Sequence, residues 1–480
     1  MYDVIIIGGG IVGCAAAREL SRYRLEILVV ERGADIAIGA TKANSGILHA
    51  GYDCQPGTLK AELNVKGSAM YPGLCKELDI PCRINGSMVL AIDEKDTARL
   101  KALYEQGLAN GVAGMELLSA EETLALEPNL TDCVAGALRA KTAGVISPYE
   151  AGIAFGENAA VNGVEFLLET EIAGVKADEK GFYIMRAVFS DRAYREILLK
   201  SKIVINAAGI ESANIHNLIS PLKETIIPQR GQYFILDNTQ RDFVKHTIFP
   251  LPTHLGKGAL IVPTVDYNIL LGPTAEEPES PSATGTTAEG LNGVLGKVNL
   301  LLKTVPIYDR ITAYAGIRAK HSNRDFIIDE AAPGFINAMG IDSPGLTAAP
   351  AIAIKIANLV TNRLQPPLNP NFDPTRMGIK RFRELPIAEQ AAAIKENSAY
   401  GKVVCRCETI TEAEILDAIR RPLGAKNLDA IKRRTRAQMG RCQGGFCKLR
   451  LTEIMSEELG MPKTAVTVDG VGSEVMFSAF

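Results

Sequence analysis

The most constraining feature of the sequence is a glycine-rich turn near its N-terminus. Residues 8–13 read G-G-G-I-V-G, which fits G-x-G-x-x-G, and they follow an apolar run typical of a strand buried on both faces. Gly8 allows a tight turn, Gly10 lets the backbone approach a pyrophosphate, and Gly13 permits close helix packing. A second predicted strand ends in Glu31, whose carboxylate can accept hydrogen bonds from a ribose diol. This context predicts a dinucleotide site in a parallel α/β domain rather than a glycine-rich turn without a ligand.

The fingerprint alone does not distinguish FAD from NAD, and two later segments favour FAD. Residues 203–209 read as a strand that ends in small side chains, which could pass close to a long cofactor. Residues 340–347 join a predicted strand to a helix whose N-terminus could stabilise negative charge on a reduced flavin. Without the fingerprint, both segments would read as ordinary strand-to-turn packing. The candidate cofactor contacts in these segments are Ala208, Gly209, Gly340, Gly345, Leu346 and Thr347.

The predicted secondary structure alternates between α/β pieces and a strand-rich block, which indicates two interleaved domains. One of the later strands is expected over residues 324–329. The expected parts are a Rossmann-like domain from residues 1–80, 145–220 and 325–365, and a strand-rich α+β substrate domain from residues 81–144 and 221–324.

Four prolines between residues 365 and 374 mark the next boundary, because proline neither continues a helix nor joins a central strand. Residues 366–398 are therefore predicted to be a linker. Residues 399–455 are expected to form a small helical unit, with a helix that starts at a Thr411/Glu414 capping box. Residues 456–480 are expected to form a C-terminal tail.

Several segments besides the fingerprint carry a family resemblance. They are NSGILHAG at residues 44–51, RGQY at 230–233, LGPT at 271–274, AGIR at 315–318 and SPGLT at 343–347. With them, residues 1–365 resemble the FAD-dependent oxidoreductases of the D-amino-acid oxidase type, in particular L-2-hydroxyglutarate oxidases and flavin glycerol-3-phosphate dehydrogenases. The resemblance implies FAD as the cofactor. The contacts expected in the N-terminal part are Gly8, Gly10, Gly13, Glu31, Arg32, Thr41, Asn44, Ser45 and Gly46.

The resemblance also implies that residues 41–51 line the reactive ring of the flavin, and His49 lies in that loop. Oxidation of an alcohol requires a base for the hydroxyl proton, and a neutral imidazole is suited to this near pH 7. His49 is therefore the candidate base, with hydrogen bonding to flavin or backbone alone as the other interpretation. His254 is the competing candidate.

The substrates of both related families are anions, and Arg318 is the candidate residue for binding them. It follows a strand predicted over residues 311–314, and a guanidinium fork matches a carboxylate or a phosphate. Lys320 and Arg230 could add positive charge, or they could form surface ion pairs instead. Glycerol-3-phosphate dehydrogenases usually carry Gly-Gly-Lys-x-Thr-Thr-x-Arg around the last flavin loop. This chain has SPGLT at residues 343–347 there, the form of the 2-hydroxyglutarate oxidases, which argues against phosphate recognition.

Four cysteines near the C-terminus form a second candidate site. Cys405 and Cys407 are followed by Cys442 and Cys447, and neither pair has the C-x-x-C spacing usual in zinc ribbons and fingers. The pattern resembles the bacterioferritin-associated ferredoxin-like domain, which implies a 2Fe-2S cluster; structural zinc and free thiols are the alternatives. Between residues 402 and 450 there are 12 Lys and Arg against 5 Asp and Glu, an excess that would offset the negative charge of a cluster. The same appended unit occurs in the large subunit of anaerobic glycerol-3-phosphate dehydrogenases.

Composition excludes several other classes of function. Lys and Arg number 52 and Asp and Glu number 55, a net charge of −3 that argues against a nucleic-acid binder. No stretch approaches the roughly 20 apolar residues of a membrane span. No signal peptide is recognisable, so the expected location is the cytoplasm.

These features combine into one hypothesis. An FAD-dependent dehydrogenase oxidises a small anionic secondary alcohol, sn-glycerol 3-phosphate being the leading candidate, and passes electrons through the cluster to a partner protein or subunit. The alternatives are an L-2-hydroxyglutarate dehydrogenase and, more distantly, an amine or amino-acid oxidase. A hypothesis of another class is a redox-sensing or electron-relay protein without substrate turnover.

Overall fold

A computed structural model describes residues 1–190, 195–252 and 258–476 of the chain. The strands in this part are β1 (Tyr2–Ile7), β2 (Ile27–Val30), β3 (Ile47–Leu48), β4 (Cys82–Arg83), β5 (Ser87–Ala91), β6 (Met115–Ser119), β7 (Gly136–Ala140), β8 (Gly144–Ile146), β9 (Glu165–Leu167), β10 (Thr170–Ala177), β11 (Tyr183–Phe189), β12 (Glu196–Asn206), β13 (Ile226–Leu236), β14 (Thr247–Pro250), β15 (Leu260–Pro263), β16 (Ile269–Gly272), β17 (Arg310–His321), β18 (Glu330–Ala332), β19 (Phe335–Asn337), β20 (Val403–Cys405) and β21 (Ile410–Thr411). The helices are α1 (Ile11–Leu20), α2 (Leu59–Glu77), α3 (Thr97–Ala109), α4 (Ala120–Leu126), α5 (Pro148–Val161), α6 (Ser212–Ile219), α7 (Ala288–Val298), α8 (Gly345–Leu364), α9 (Ile387–Glu396), α10 (Glu412–Arg420), α11 (Leu428–Thr435) and α12 (Lys448–Leu459).

The first sheet is built around parallel strands whose sequences are almost wholly apolar. β1 lies between β2 and β12, and β19 extends the parallel part beyond β12. Ile7 is level with both Val30 and Asn206, so the carboxyl ends of these strands meet at one edge. Residues of α1, α5 and α8 share a buried core with one face of the sheet. Because ligands bind at the carboxyl edge of open parallel sheets, this edge is where a cofactor site is expected.

The second sheet is largely antiparallel, in the order β17-β13-β16-β15-β14-β5-β7-β6. Its two faces bury separate apolar clusters: Leu271 and Met88 contribute to one, and their neighbours Leu270 and Val89 to the other. This is the consequence of side chains alternating between the faces of a strand. The long pairing of β13 with β17 sets Gln229 opposite Arg318.

The C-terminal unit consists of the hairpin β20–β21 and helices α10 to α12. Its core includes Ile415, Ile431 and Leu451. The capping box at the start of α10 is present as the sequence predicts, with the Thr411 side chain accepting from the Glu414 backbone N–H. Val466 is fully buried in the same core, so part of the stretch expected to be a tail folds back onto the unit.

Two expectations about local structure are wrong. Residues 324–329 form a turn and a single bridge from Ile327 to Met339 rather than a strand, because the Asp325 carboxylate accepts hydrogen bonds from the backbone at the start of α2. Arg318 lies inside β17 rather than after a shorter strand, since pairing with β13 continues to His321. The predicted linker contains the helix α9. None of the helices in the described ranges is long and apolar enough to span a bilayer.

Candidate functional site

The glycine-rich turn connects β1 to α1 at the carboxyl edge of the first sheet. Gly8 has a φ of +106°, and a Cβ there would collide with the carbonyl oxygen of Ala207. A Cβ on Gly13 would collide with the carbonyl oxygen of Gly8, so the helix packs against the turn without a side chain between them. Gly10 is the N-cap of α1 and has no side chain, so an anion can approach the first turn of the helix beside the Thr41 hydroxyl, which accepts from the Ile11 N–H. The turn therefore fits a pyrophosphate.

Glu31 lies beside this turn at the end of β2. Its carboxylate accepts hydrogen bonds from the backbone N–H groups of Gly9 at 2.7 Å and Gly33 at 2.8 Å. Burial raises the pKa of Glu31, although the two N–H donors act in the opposite direction. Arg32 points outward and forms an ion pair with Glu211 at 3.2 Å. The buried carboxylate thus occupies the position from which a ribose diol would be bound.

The small residues predicted at the end of β12 reach the same place. The backbone N–H of Ala207 donates to Ile7 O at 2.9 Å, and Ala208 lies against Gly8. Gly209 follows with a φ of +58°. The structure therefore brings Ala208 to the glycine turn, and Gly209 follows it directly in the chain.

Residues 41–51 cross from the turn towards the start of α8. The Thr41 hydroxyl accepts from the Ile11 backbone N–H at 3.0 Å. Asn44 holds the loop, because its side chain donates to Thr41 O and accepts from the Gly46 N–H. Ser45 is half-buried between them. A Cβ on Gly46 would lie only 2.5 Å from Ile146 O, so the loop passes tightly over the neighbouring strand.

His49 is held against the first turn of α8. Its backbone N–H donates to the Thr347 hydroxyl at 3.0 Å, and that hydroxyl donates to Ile47 O at 3.2 Å. The imidazole is buried, with its centroid 5.9 Å from the ring of Phe249. The fold thus joins the loop of residues 41–51 to the segment of residues 340–347, which lies some 300 residues away in sequence.

The rest of the 340–347 segment shapes the start of α8. Gly340 has a φ of +65° and packs against His321 of β17. Gly345 is the first residue of α8, and Leu346 O accepts a hydrogen bond from the Tyr71 hydroxyl at 2.6 Å. These residues lie on the same side of the first sheet as the glycine turn, as the cofactor prediction requires.

Arg318 faces this region from the second sheet. Its guanidinium lies over Gly231, where a Cβ would be 2.5 Å from Nη2. The Nη groups donate only long hydrogen bonds, to Gln229 Oε1 at 3.4 Å, to Thr274 O at 3.3 Å and to the Tyr233 hydroxyl at 3.3 Å. Across the described part of the chain, no carboxylate lies within ion-pair distance of Arg318. Its charge is therefore available to an anionic ligand.

Two tyrosines that sequence reasoning missed connect Arg318 to the loop of residues 41–51. Tyr233 stacks on Tyr314 with ring centroids 4.8 Å apart, and the Tyr314 hydroxyl donates to Asn44 O at 2.8 Å. Burial raises the pKa of Tyr314, so the phenol stays protonated. The only signal for Tyr233 in the sequence is its place in the RGQY segment, three residues after Arg230.

The other candidate cations differ from Arg318. Arg230 forms an ion pair with Glu276 at 3.0 Å, but it is buried rather than part of the surface ion pair that the sequence left open. Lys320 is half-buried, and no ion pair is found for it among the described residues. His254 lies outside the described residues.

The four cysteines of the C-terminal unit converge. The Cys407 sulfur lies 3.9 Å from that of Cys405 and 3.6 Å from that of Cys442, and Cys447 is buried beside Cys405. Burial alone would raise the pKa of Cys442, but N–H groups of the following loop and the Cys407 thiol donate to its sulfur and lower that pKa. A Cβ on Gly440 would lie 2.7 Å from the Cys407 sulfur. Sulfurs that converge in a loop of backbone donors fit an iron–sulfur cluster.

Comparisons with known proteins match two families along the chain. Residues 3–359 match the family described as FAD dependent oxidoreductase, and residues 403–457 match the BFD-like 2Fe-2S binding domain. The chain is 45% identical over 479 residues to the glycerol 3-phosphate dehydrogenase of Caloramator mitchellensis, which covers 99% of this chain and 98% of the relative. It is 28% identical over 416 residues to the mitochondrial L-2-hydroxyglutarate dehydrogenase of Homo sapiens, which covers 76% of this chain and 89% of the relative.

A solved structure extends the similarity to three dimensions. Dithionite-reduced L-alpha-glycerophosphate oxidase from Mycoplasma pneumoniae, with FAD bound, matches with a TM-score of 0.73 at 30% identity. The match covers 78% of this chain and 98% of the oxidase chain.

Proposed function

Because the chain belongs to the FAD-dependent oxidoreductase family, we propose that it oxidises sn-glycerol 3-phosphate to dihydroxyacetone phosphate. The secondary hydroxyl group loses its proton, and its carbon loses a hydride. FAD, when bound, accepts that hydride on its flavin ring. The observation that supports the proposal most strongly is the position of Arg318. Its guanidinium has no carboxylate partner in the described ranges, and the Tyr233–Tyr314 stack links it to the loop of residues 41–51.

Arg318 binds the anionic end of the substrate in this proposal. Its weak hydrogen bonds to Gln229, Thr274 and Tyr233 orient the guanidinium fork but do not neutralise it. A phosphate would replace these long contacts with shorter, charge-assisted ones. The resulting fixed position of the phosphate orients the alcohol carbon.

His49 receives the hydroxyl proton. Its backbone is fixed through Thr347, and Phe249 lies beside its ring. A neutral imidazole in this position can accept a proton near pH 7 and pass it to solvent after the reaction. The candidate cofactor contacts, from Gly8 to Thr347, hold FAD in the proposal.

The 2Fe-2S domain provides an outlet for single electrons, and we propose that they pass to an electron-accepting partner protein. The surface at the cysteines supports this, because Phe446, next to Cys447, is 87% exposed and Arg406, between Cys405 and Cys407, is exposed as well. Exposed aromatic and arginine side chains are typical of protein interfaces. A cytoplasmic location is part of the proposal, since thiolate ligands require reducing surroundings.

L-2-hydroxyglutarate is the second candidate substrate. The SPGLT segment at residues 343–347 has the form of the 2-hydroxyglutarate oxidases. The guanidinium of Arg318 would bind a carboxylate as readily as a phosphate. The extent of the similarity favours glycerol 3-phosphate, since the dehydrogenase that acts on it is matched over 99% of this chain.

A substrate comparison under anaerobic conditions tests the proposal. Purified protein containing FAD and the cluster would be mixed with an artificial dye. In separate assays, sn-glycerol 3-phosphate, L-2-hydroxyglutarate or glycerol would then be added to this mixture. We expect fast dye reduction with glycerol 3-phosphate alone, because glycerol has the same alcohol but no anion for Arg318. Turnover with L-2-hydroxyglutarate alone would replace the first candidate by the second, and no turnover with any of them would contradict both.

A further inference from the structure

The loop of residues 33–42, here named the nucleotide loop, covers the glycine turn. The backbone N–H of Ala37 donates to Gly9 O at 2.8 Å. The side chain of Ile36 packs on Gly9, and Thr41 accepts from the first N–H of α1. Because these contacts shape the place where a pyrophosphate fits, the position of the nucleotide loop determines how well FAD is held.

The nucleotide loop is anchored by the C-terminal unit through a buried ion pair. Asp35 is only 4% exposed, and its carboxylate accepts hydrogen bonds from both Nη groups of Arg434 at 2.6 and 2.9 Å. Arg433 donates to the same carboxylate at 2.6 Å. Burial alone would raise the pKa of Asp35, but the two arginines outweigh it and lower the pKa.

A second contact supports the same anchor. Lys42, at the other end of the nucleotide loop, forms ion pairs with Asp469 at 3.4 Å and Asp429 at 3.7 Å. Asp429 lies on α11 of the C-terminal unit, and Asp469 lies in the segment after α12. The loop is therefore held at both ends by residues that lie about 400 positions away in sequence.

The arginines that bind Asp35 lie just before the loop of residues 436–447, here named the cysteine loop because it contains Cys442 and Cys447. They occupy the last turn of α11, which ends at Arg436 in the left-handed conformation. Two residues later, the side chain of Gln438 packs against Gly444, which follows Cys442 in the chain. Gly440 then packs against the Cys407 sulfur, and Cys442 follows. An ordered segment of nine residues, 434–442, thus joins the ion pair to the cluster ligands.

We propose that FAD and the 2Fe-2S cluster strengthen each other's binding through the Asp35–Arg434 contact, with Arg434 as a positioning residue of the FAD site. A bound cluster fixes the cysteine loop and with it the last turn of α11. The fixed helix end holds the nucleotide loop closed over the glycine turn. By thermodynamic reciprocity, FAD bound under the nucleotide loop stabilises the cluster by the same factor.

The experiment measures FAD affinity with and without the cluster, and it uses no substrate. Flavin fluorescence would report FAD release from the fully loaded protein and from protein stripped of iron by a chelator. We expect the stripped protein to bind FAD about 5- to 150-fold more weakly, the usual range for coupled sites. Since no turnover is involved, the result is independent of the proposed substrate.

Substitutions of Arg434 test whether this residue transmits the coupling between the two sites. In Arg434→Met, the FAD affinities with and without the cluster should become equal. Arg434→Lys should retain part of the difference, because lysine keeps the charge but loses the bidentate fork. Arg420→Met is the matched control: this arginine of the same unit is 61% exposed on its side chain and pairs with Glu458, far from Asp35 in sequence, so the coupling should be unchanged.

Two results would overturn the proposal. One is equal FAD affinity in loaded and stripped wild-type protein. The other is full coupling in Arg434→Met, which would show that the Asp35–Arg434 contact does not transmit it, since Arg433 alone would then hold Asp35. If chelation damages the wild-type protein, Cys442→Ser provides a cluster-free chain for the same comparison, with the same expected loss of FAD affinity.

Discussion

At the residue scale, the positive charge of the proposed substrate site depends on Arg318. Its guanidinium lies over Gly231, where a larger residue would displace it, and its hydrogen bonds are at least 3.3 Å long. The sequence predicts this arginine as an anion-binding residue through the AGIR segment and the geometry of its fork. It did not identify the Tyr233–Tyr314 stack, because a stack between two strands depends on strand register, which one sequence does not reveal.

Arg318→Lys tests this residue directly. Lysine keeps the charge but cannot form two parallel hydrogen bonds to a phosphate. Loss of a hydrogen bond to a charged group costs about 1.5–3 kcal/mol, which corresponds to a fall of about 10- to 100-fold in kcat/KM for glycerol 3-phosphate. Steady-state assays of dye reduction measure this fall in kcat/KM. Arg310→Lys, an exposed position on the same strand, should leave kcat/KM unchanged; equal effects of both variants would show that Arg318 has no special role.

At the scale of single elements, the sequence predicts a helix or strand correctly where contacts between neighbouring residues determine it. The capping box at Thr411 and Glu414 involves contacts only three residues apart, and α10 begins where it predicts. The predicted strand at 324–329 was wrong because Asp325 contacts the start of α2, which is more than 260 residues away in sequence. An apolar run alone could not reveal that contact. The bends that carry the candidate site are likewise set by partners distant in sequence.

The capping box provides a stability prediction for the C-terminal unit. Thr411→Ala removes the hydroxyl that accepts the Glu414 N–H, and it should lower the free energy of unfolding of this unit by about 1 kcal/mol. Urea denaturation, followed by loss of the visible circular dichroism of the cluster, measures the change. Ser119→Ala removes the equivalent cap of α4, outside this unit, and should not alter the cluster transition. An unchanged midpoint in Thr411→Ala would mean that the cap contributes nothing there.

At the scale of the whole molecule, buried ion pairs join parts that the sequence presents as separate. The basic excess of residues 402–450 was predicted to offset the charge of a cluster. Much of it instead neutralises carboxylates of the N-terminal domains: Arg436 binds Asp266 of the substrate domain at 2.7 Å, and Arg421 binds Glu157 of α5. The order of the domains was predictable from motifs. The ion pairs between them were not, because the sequence does not show which arginine binds which carboxylate.

Asp266 is the residue at which these parts meet. Its carboxylate accepts hydrogen bonds from Arg436 of the C-terminal unit and from Arg381 and Arg383 of the predicted linker, and Arg383 also binds Glu408, which follows Cys407. The side chain of Asp266 is only 4% exposed. Removing its charge would leave the arginines buried beside an uncharged partner.

Asp266→Asn should therefore weaken the attachment of the C-terminal unit to the substrate domain. Breaking a buried ion pair from one side costs about 3–5 kcal/mol, so the linker should open more often and be cleaved faster by trypsin. Limited proteolysis with mass spectrometry would locate the cuts within residues 366–398. Glu384→Gln is the control, since this carboxylate pairs with the same linker arginines but is 56% exposed, and its loss should have little effect. Equal cleavage of Asp266→Asn and wild-type protein would show that apolar contacts, rather than this ion-pair cluster, hold the unit in place.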